Sequence, residues 1–211
     1  MKIQVWSDFR CPFCYIGKRN LENAVKKSNK DIEIELMSYE LNPNFEPIEV
    51  EGTYVQKLSK TLGISETKAQ ASTDHIQTMA TQAGLNYDFE SIIDVNSFKT
   101  HRVFQMAKNL GKGNEFFEKG MSAHFIEGLD ISDEKVLVEL AISVGIDETK
   151  VTEALTSDDI AYQVRSDQQH AQNIGVQGVP HFLIDNKVFV SGAQPVDAFL
   201  EAIEYVESLD K

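Results

Sequence analysis

The sequence of 211 residues is poor in cysteine, proline and basic side chains. Its 2 cysteines cannot build the disulfide framework on which small secreted domains depend. Because 33 acidic residues outnumber 20 Lys and Arg, the formal net charge is −13. Such a field repels phosphate backbones and anionic lipid, so we expect neither nucleic acid nor a membrane surface as a partner. A composition with 5 prolines and 42% hydrophobic residues argues against a disordered or fibrous chain.

Long apolar segments are also missing. No stretch reaches about 18 uninterrupted apolar residues, the length expected of a membrane-spanning helix. The N-terminal segment, MKIQVWSDFRCPFC, carries polar residues at every second or third position, unlike the apolar centre of a signal peptide. We therefore expect a cytoplasmic protein with one or two domains and a substantial buried core.

The spacing of apolar residues predicts a β-α-β unit followed by a helical block. Residues 2–7 and 32–37 alternate as strands do, and a helix is expected from Pro12, since proline is tolerated at the first helical position. Periods near four then predict further helices over 53–62, 65–83, 97–110, 114–126, 133–144 and 148–156. Four glycines occupy expected helix ends, namely Gly63, Gly84, Gly111 and Gly145, and Ser132 is the expected N-cap of the helix over 133–144.

The remaining chain predicts one more helix, a hairpin and a final helix. These are a helix over about 158–174, strands over 181–184 and 188–190 around a polar turn, and a helix over about 195–208. A helical block inserted into a small mixed sheet implies two lobes separated by a cleft. Such a cleft is the expected place for a functional site.

Cys11-Pro12-Phe13-Cys14 lies at the junction of the first strand and first helix. Unpaired N–H groups and the positive end of the dipole at a helix start favour the thiolate, so Cys11 is predicted to be the exposed attacking thiol. Cys14, one turn further on, is predicted to be more buried and to resolve a mixed disulfide. Pro12 sets the helical backbone, and Phe13 adds apolar surface beside the sulfur. Lys18 and Arg19, about two turns away, are expected to give only weak assistance.

Other interpretations of the two cysteines are possible. A zinc site needs four ligands, and the five histidines, His75, His101, His124, His170 and His181, are too widely spaced to complete one, so we predict no metal. Asp8 is interpreted as a cap of the first helix, with proton transfer as the alternative. For His101 an interdomain hydrogen bond is favoured over a role in the cleft, while the role of His181 stays open.

A second motif, Gly175-Val176-Gln177-Gly178-Val179-Pro180, directly precedes a predicted strand. A cis bond between Val179 and Pro180 would expose the Val179 backbone, which could pair with an extended substrate segment beside Cys11. An ordinary trans proline at the end of a loop is the alternative, and the residues of this motif alone leave both open.

Together these motifs resemble the DsbA family of disulfide oxidoreductases with a thioredoxin fold. Similarity to the FrnE-like branch rests on four further segments: Tyr15-Ile16-Gly17-Lys18-Arg19, Asn96-Ser97 with His101-Arg102, Asp130-Ile131-Ser132, and Ser191-Gly192-Ala193-Gln194-Pro195. The resemblance implies an α/β fold with a thioredoxin-like mixed sheet (residues 1–47 and 158–211) and an all-helical insertion (48–157). It also implies a dithiol site at Cys11 and Cys14 opposite a cis Pro180.

The expected function is thiol-disulfide exchange with protein or small-molecule disulfides and thiols, without a cofactor. Phe13 stands where periplasmic relatives carry histidine, which removes one stabiliser of the thiolate and leaves the reduction potential and the direction of electron flow open. Because a reducing cytosol keeps the dithiol reduced, reductase or isomerase work is favoured over net oxidation. One alternative is a glutathione-dependent isomerase or transferase of the same fold, with glutathione as co-substrate. Another is a noncatalytic chaperone that binds peptides. The sequence leaves open the substrate, the recycling partner and the oligomeric state.

Overall fold

The structure is a computed structural model that describes residues 1–47 and 51–209. Its N-terminal part is the predicted β-α-β unit: β1 (Lys2–Ser7), α1 (Pro12–Ser28) and β2 (Glu33–Ser38). β1 and β2 pair in parallel, as two strands joined by a crossover helix must. The predicted domain boundary at residue 48 and the last two residues of the predicted 158–211 segment lie outside the described residues.

Helices occupy the middle of the chain, as the apolar periods predict. Their bounds are α2 (Tyr54–Leu62), α3 (Glu66–Gln82), α4 (Phe98–Asn109), α5 (Gly113–Phe125), α6 (Glu134–Ser143) and α7 (Glu148–Thr156), with a 3-10 turn at Phe89–Ser91. The four glycines expected at helix ends all have a positive φ. The predicted cap Ser132 is wrong by one residue. The Asp133 carboxylate accepts the Lys135 and Val136 amides, whereas the Ser132 hydroxyl donates to Asp130.

The C-terminal part closes the sheet. It comprises α8 (Asp158–Asn173), β3 (His181–Ile184), β4 (Val188–Ser191) and α9 (Val196–Ser208). β3 and β4 form the predicted antiparallel hairpin, and its turn places Asp185 and Asn186 at φ values of 51° and 56°. Consecutive left-handed residues suit a tight hairpin turn, and Asp and Asn tolerate that conformation better than most side chains do.

The strand order is β2-β1-β3-β4, and β3 runs antiparallel to β1. Side-chain alternation gives the sheet two apolar faces. Ile3, Val5 and Phe182 belong to a large core that includes residues of α1 and α9, while Trp6 and Leu183 pack with residues of α8 on the other face. The structure is therefore the predicted α/β fold with a mixed sheet, whereas the division into two domains stays a prediction.

Phe9, two residues after β1, anchors the sheet to the helical block. Its ring is fully buried and contacts His101 and Phe104 of α4 and Phe116 and Phe117 of α5. This cluster holds the chain directly before Cys11 against α4 and α5. None of the helices in residues 1–47 and 51–209 has the length and apolar character needed to cross a bilayer.

Candidate active site

The two cysteines lie on the first turn of α1. The Cys11 amide donates to the Asp8 carbonyl at 3.1 Å, which closes a turn directly after β1. The Cys14 amide then donates to the Cys11 carbonyl at 3.0 Å, and Cys11 is the N-cap residue of α1. Pro12 occupies the start of the helix, as predicted, because its missing N–H would have no helical partner there.

Cys11 is not the exposed thiol that the sequence predicts. Only 4% of the residue is accessible, because chain segments distant in sequence cover the start of α1. The Cys11 Sγ lies 3.5 Å from the Val179 carbonyl oxygen, to which its S–H donates. Cys11 therefore offers only a small part of its surface to any partner.

Cys14 is fully buried, more so than Cys11, in agreement with the sequence prediction. Burial raises the pKa of the Cys14 thiol well above its ordinary value, and the hydrogen bond and charge of Cys11 raise it further. Both residues are free thiols in this structure. Cys14 therefore holds its proton while Cys11 faces the cavity described below.

The Val179-Pro180 peptide bond is cis, as the family resemblance implies. Pro180 is buried against α1: a Cβ placed on Gly17 would come within 3.1 Å of its ring. This close approach explains why glycine follows Ile16 in the helix. The carbonyl of Val179 points at Cys11, so the predicted position of this loop beside the dithiol agrees with the structure.

Asp8 does not cap α1, because its carboxylate bonds elsewhere. One oxygen accepts from the Arg10 amide at 3.2 Å and the Ser97 hydroxyl at 2.7 Å, and the other accepts from the Leu41 amide at 2.8 Å. His101 Nε2 lies 3.4 Å from the first oxygen. Burial would raise the pKa of Asp8, but these bonds and the charge of His101 together hold it below its ordinary value.

The remaining polar residues singled out in the sequence do not contact the cysteines. His101 joins α4 to Asp8 and so links the helical block to the chain that follows β1, in agreement with the structural role favoured for it. His181 instead pairs with Ser191 of β4 at 2.9 Å, and burial lowers its pKa. Lys18 is buried and binds Glu22 and Glu118, so its charge is paired with these two carboxylates. Arg19 likewise binds Glu118.

A cavity of about 390 Å³ opens beside Cys11. The first turn of α1 forms one wall, the loop after β2 forms a second, and α2 and α3 form a third. Most of its lining is apolar; representative side chains are Phe13, Phe45, Leu58, Ile76 and Ile92. Three charged side chains also line it: Arg10, Lys57 and Asp94. The cleft expected between the sheet and the helical block is therefore present, and Cys11 borders it.

Arg10 lines the cavity and packs against an aromatic ring of the same lining. Its guanidinium lies 3.4 Å from the centre of the Phe45 ring. Burial lowers the pKa of Arg10, while the nearby charges of Asp8 and Asp94 oppose that effect. Arg10 thus lies over an aromatic face and feels the charge of two nearby carboxylates.

Sequence reasoning missed several residues around the dithiol. The Tyr87 hydroxyl donates to the Pro12 carbonyl at 2.7 Å and so fixes the first turn of α1 from the helical block. Leu41, Phe45 and Lys57 line the cavity from loops and helices that carry no recognisable motif. Within residues 1–47 and 51–209, no three or more His, Cys, Asp and Glu side chains form a group that could hold a metal ion.

Comparison with known proteins gives one family over nearly the whole chain. The DSBA-like thioredoxin domain matches residues 2–204. The uncharacterized protein YwbO of Bacillus subtilis is 32% identical over 203 residues, which are 95% of this chain and 94% of that protein.

Solved structures agree with this match. A probable DsbA oxidoreductase from Streptomyces coelicolor superposes with a TM-score of 0.91 at 31% identity, covering 99% of this chain and 90% of that chain. The cytosolic disulfide reductase DsbM from Pseudomonas aeruginosa, solved with GSH, has a TM-score of 0.69 at 15% identity, covering 99% of this chain and 100% of that chain. The second likeness shows a shared fold only, and the thioredoxin-like sheet expected from the sequence is thereby confirmed.

Proposed function

This chain belongs to the DSBA-like thioredoxin domain family, and we propose that it is a thiol-disulfide oxidoreductase whose reacting groups are Cys11 and Cys14. One observation carries the proposal: the Cys11 sulfur borders a cavity and contacts the Val179 carbonyl, while Cys14 lies buried one turn below. This arrangement separates an attacking thiol from a resolving thiol. Phe13 shapes the cavity wall, and Val179 and Pro180 shape the surface that faces the sulfur.

The reaction follows from this geometry in two exchanges. The Cys11 thiolate attacks one sulfur of a substrate disulfide, forms a mixed disulfide and releases the first substrate thiolate. Cys14 then loses its proton and attacks the Cys11 sulfur, which releases the second substrate thiolate and leaves a Cys11–Cys14 disulfide. The substrate gains two electrons and the protein loses two. Because burial raises the pKa of Cys14, its deprotonation belongs to the second exchange.

We further propose that the protein works as a reductase or isomerase in the cytoplasm. A reducing cytosol keeps dithiols reduced, so the chain would start each cycle with both thiols free. The description of DsbM as a cytosolic disulfide reductase supports this direction for the shared fold. The FrnE-like assignment within the family stays a prediction.

The test compares wild type with Cys11→Ser and Cys14→Ala. With a reductant that is inert alone, wild type should reduce a disulfide substrate, and Cys11→Ser should not exceed the uncatalysed rate. Cys14→Ala should accumulate a mixed disulfide at Cys11, detected as an added mass in the intact protein. Equal rates for wild type and Cys11→Ser would refute the proposal. Titration of the pair in redox buffers then gives the reduction potential, which decides the direction of electron flow.

The two alternatives predict different results in the same experiments. A glutathione-dependent isomerase or transferase would bind glutathione saturably and keep its activity in Cys14→Ala. A noncatalytic chaperone would bind peptides equally well after both thiols have been alkylated.

A further inference from the structure

We propose that the substrate of this dithiol is a low-molecular-weight disulfide with an apolar body and a carboxylate, rather than a disulfide within a protein. The inference rests on the proposed function, because it concerns the partner of Cys11. Three observations support it: the enclosure of Cys11, the apolar lining of the cavity, and a cation in its wall.

Enclosure limits the size of the partner. Cys11 is only 4% exposed, and the accessible space beside it is about 390 Å³, within the usual range for small-molecule sites. A protein disulfide is flanked by main chain on both sides of each half-cystine, so its sulfur reaches only a thiol that lies near the surface. A small disulfide can enter the cavity whole.

The apolar lining of the cavity favours a substrate whose body is apolar. α2 has no buried residue, yet Tyr54, Leu58 and Leu62 of this helix line the cavity, together with Phe13 and Ile76. Leu62 remains 59% exposed at the wall, so part of this apolar surface is still in contact with water. An aromatic or branched aliphatic ligand that covers it gains the hydrophobic free energy of that surface. A strongly polar ligand does not.

Lys57 supplies the charge. Arg10 already faces the Phe45 ring and the charges of Asp8 and Asp94. The Lys57 ammonium, by contrast, makes no ion pair or hydrogen bond within the part of the chain that the structure describes. In a protein with a net charge of −13, an unpaired ammonium in a cavity wall marks a place for an anion. A carboxylate is the common anionic group that fits beside an apolar body.

Single-turnover measurements test this directly. Fully reduced protein carries the two electrons that one disulfide consumes, so no recycling reductant is needed. Four disulfides are compared: 5,5′-dithiobis(2-nitrobenzoate), which is aromatic and anionic; 4,4′-dithiodipyridine, which is aromatic and neutral; oxidised glutathione, which is polar and anionic; and insulin, a protein. Each rate constant is divided by that of dithiothreitol with the same disulfide, which removes differences in intrinsic reactivity.

The expected order places the aromatic carboxylate first. Its normalised rate constant should exceed those of insulin and oxidised glutathione by at least about tenfold, the discrimination that a small apolar contact gives. Lys57→Gln should lower it about fivefold, as loss of one partly exposed charge contact does, and leave 4,4′-dithiodipyridine unchanged. Lys60→Gln, on the same helix outside the cavity, is the matched control and should change neither rate.

A second variant tests the contact between the substrate and the apolar wall of the cavity. Leu62→Ser should lower the rates of both aromatic disulfides about threefold through lost apolar area, whereas Leu110→Ser, at a similarly exposed leucine outside the cavity, should lower neither.

Several results would overturn the inference. Insulin reacting as fast as the aromatic carboxylate would refute the enclosure argument and leave the oxidoreductase assignment intact. Oxidised glutathione reacting faster would refute the apolar body, and equal effects of Lys57→Gln on both aromatic disulfides would refute the carboxylate. If none of the four disulfides reacted faster with wild type than with Cys11→Ser, the proposed function itself would fail.

Discussion

Asp8 gives the most demanding test of how this site is held together. The structure places its carboxylate, fully buried, at the meeting point of β1, the loop after β2 and α4. Asp8→Asn keeps the shape of the side chain, but it replaces one acceptor oxygen with an NH2 group that cannot accept a hydrogen bond. Either the Leu41 amide or the donors on the other side, which include the Ser97 hydroxyl, would then face a second donor.

The expected loss of stability follows from these contacts. An unpaired buried donor costs about 1–3 kcal/mol, and removal of one partner of a buried charged network costs about 3–5 kcal/mol. We therefore expect Asp8→Asn to lower the free energy of unfolding by about 3 kcal/mol at pH 7. Asp147→Asn is the control. Asp147 caps α7 from an exposed position, where asparagine caps as well as aspartate, so the change should be under about 0.5 kcal/mol.

Urea unfolding of the reduced proteins at several pH values measures both quantities. The pKa of Asp8 is lower in the folded state than its ordinary value of 3.8, since the bonds from its neighbours outweigh burial. Its contribution to stability is therefore fully present above pH 3.8 and is lost as the pH falls through the lower folded value. The difference between wild type and Asp8→Asn should shrink in that acid range. A loss under about 1 kcal/mol at pH 7, or a difference that grows with acid, would refute this reasoning.

Two further predictions concern the packing around the site. A Cβ on Gly120 would lie 2.8 Å from the Phe9 ring, which is fully buried, so Gly120→Ala should destabilise the protein by about 1–3 kcal/mol in urea unfolding. Gly178→Ala, where nothing lies within 4 Å, is its control and should be close to neutral. Burial lowers the pKa of His124 from 6.5 to about 4, so between these values the unfolded chain binds a proton that the folded protein does not. Wild type should lose about 3 kcal/mol as the pH falls through that window, and His124→Gln should lack this component; an unchanged pH slope would count against the assignment.

Much of the backbone could be predicted because local rules specify it. Pro12 begins α1 since proline suits the first turn of a helix, and Asp185 and Asn186 form the hairpin turn since they tolerate a positive φ. Ser132 shows the limit of these rules. A neighbouring aspartate takes the cap, because two adjacent candidates compete and only the path of the chain decides between them.

The candidate site shows the same contrast between what local rules predict and what the folded chain decides. Cys11 and Cys14 were placed correctly on one helical turn, because a spacing of three residues and a strand-to-helix junction are properties of the local chain. The predicted exposure of Cys11 is wrong, because its surroundings include groups distant in sequence, such as the Val179 carbonyl that its thiol contacts.

What the sequence by itself determined is therefore the order of strands and helices and the position of the two cysteines at the start of the first helix. Only the tertiary structure decided what surrounds that pair: the burial of Cys11, the role of Asp8 and the position of Lys57 in the cavity wall. The physical reason is the distance along the chain over which the interactions act. Helix starts, turns and alternation depend on neighbouring residues, whereas Asp8 meets Ser97 and Cys11 meets Val179 only after the chain has folded, across separations of 89 and 168 residues.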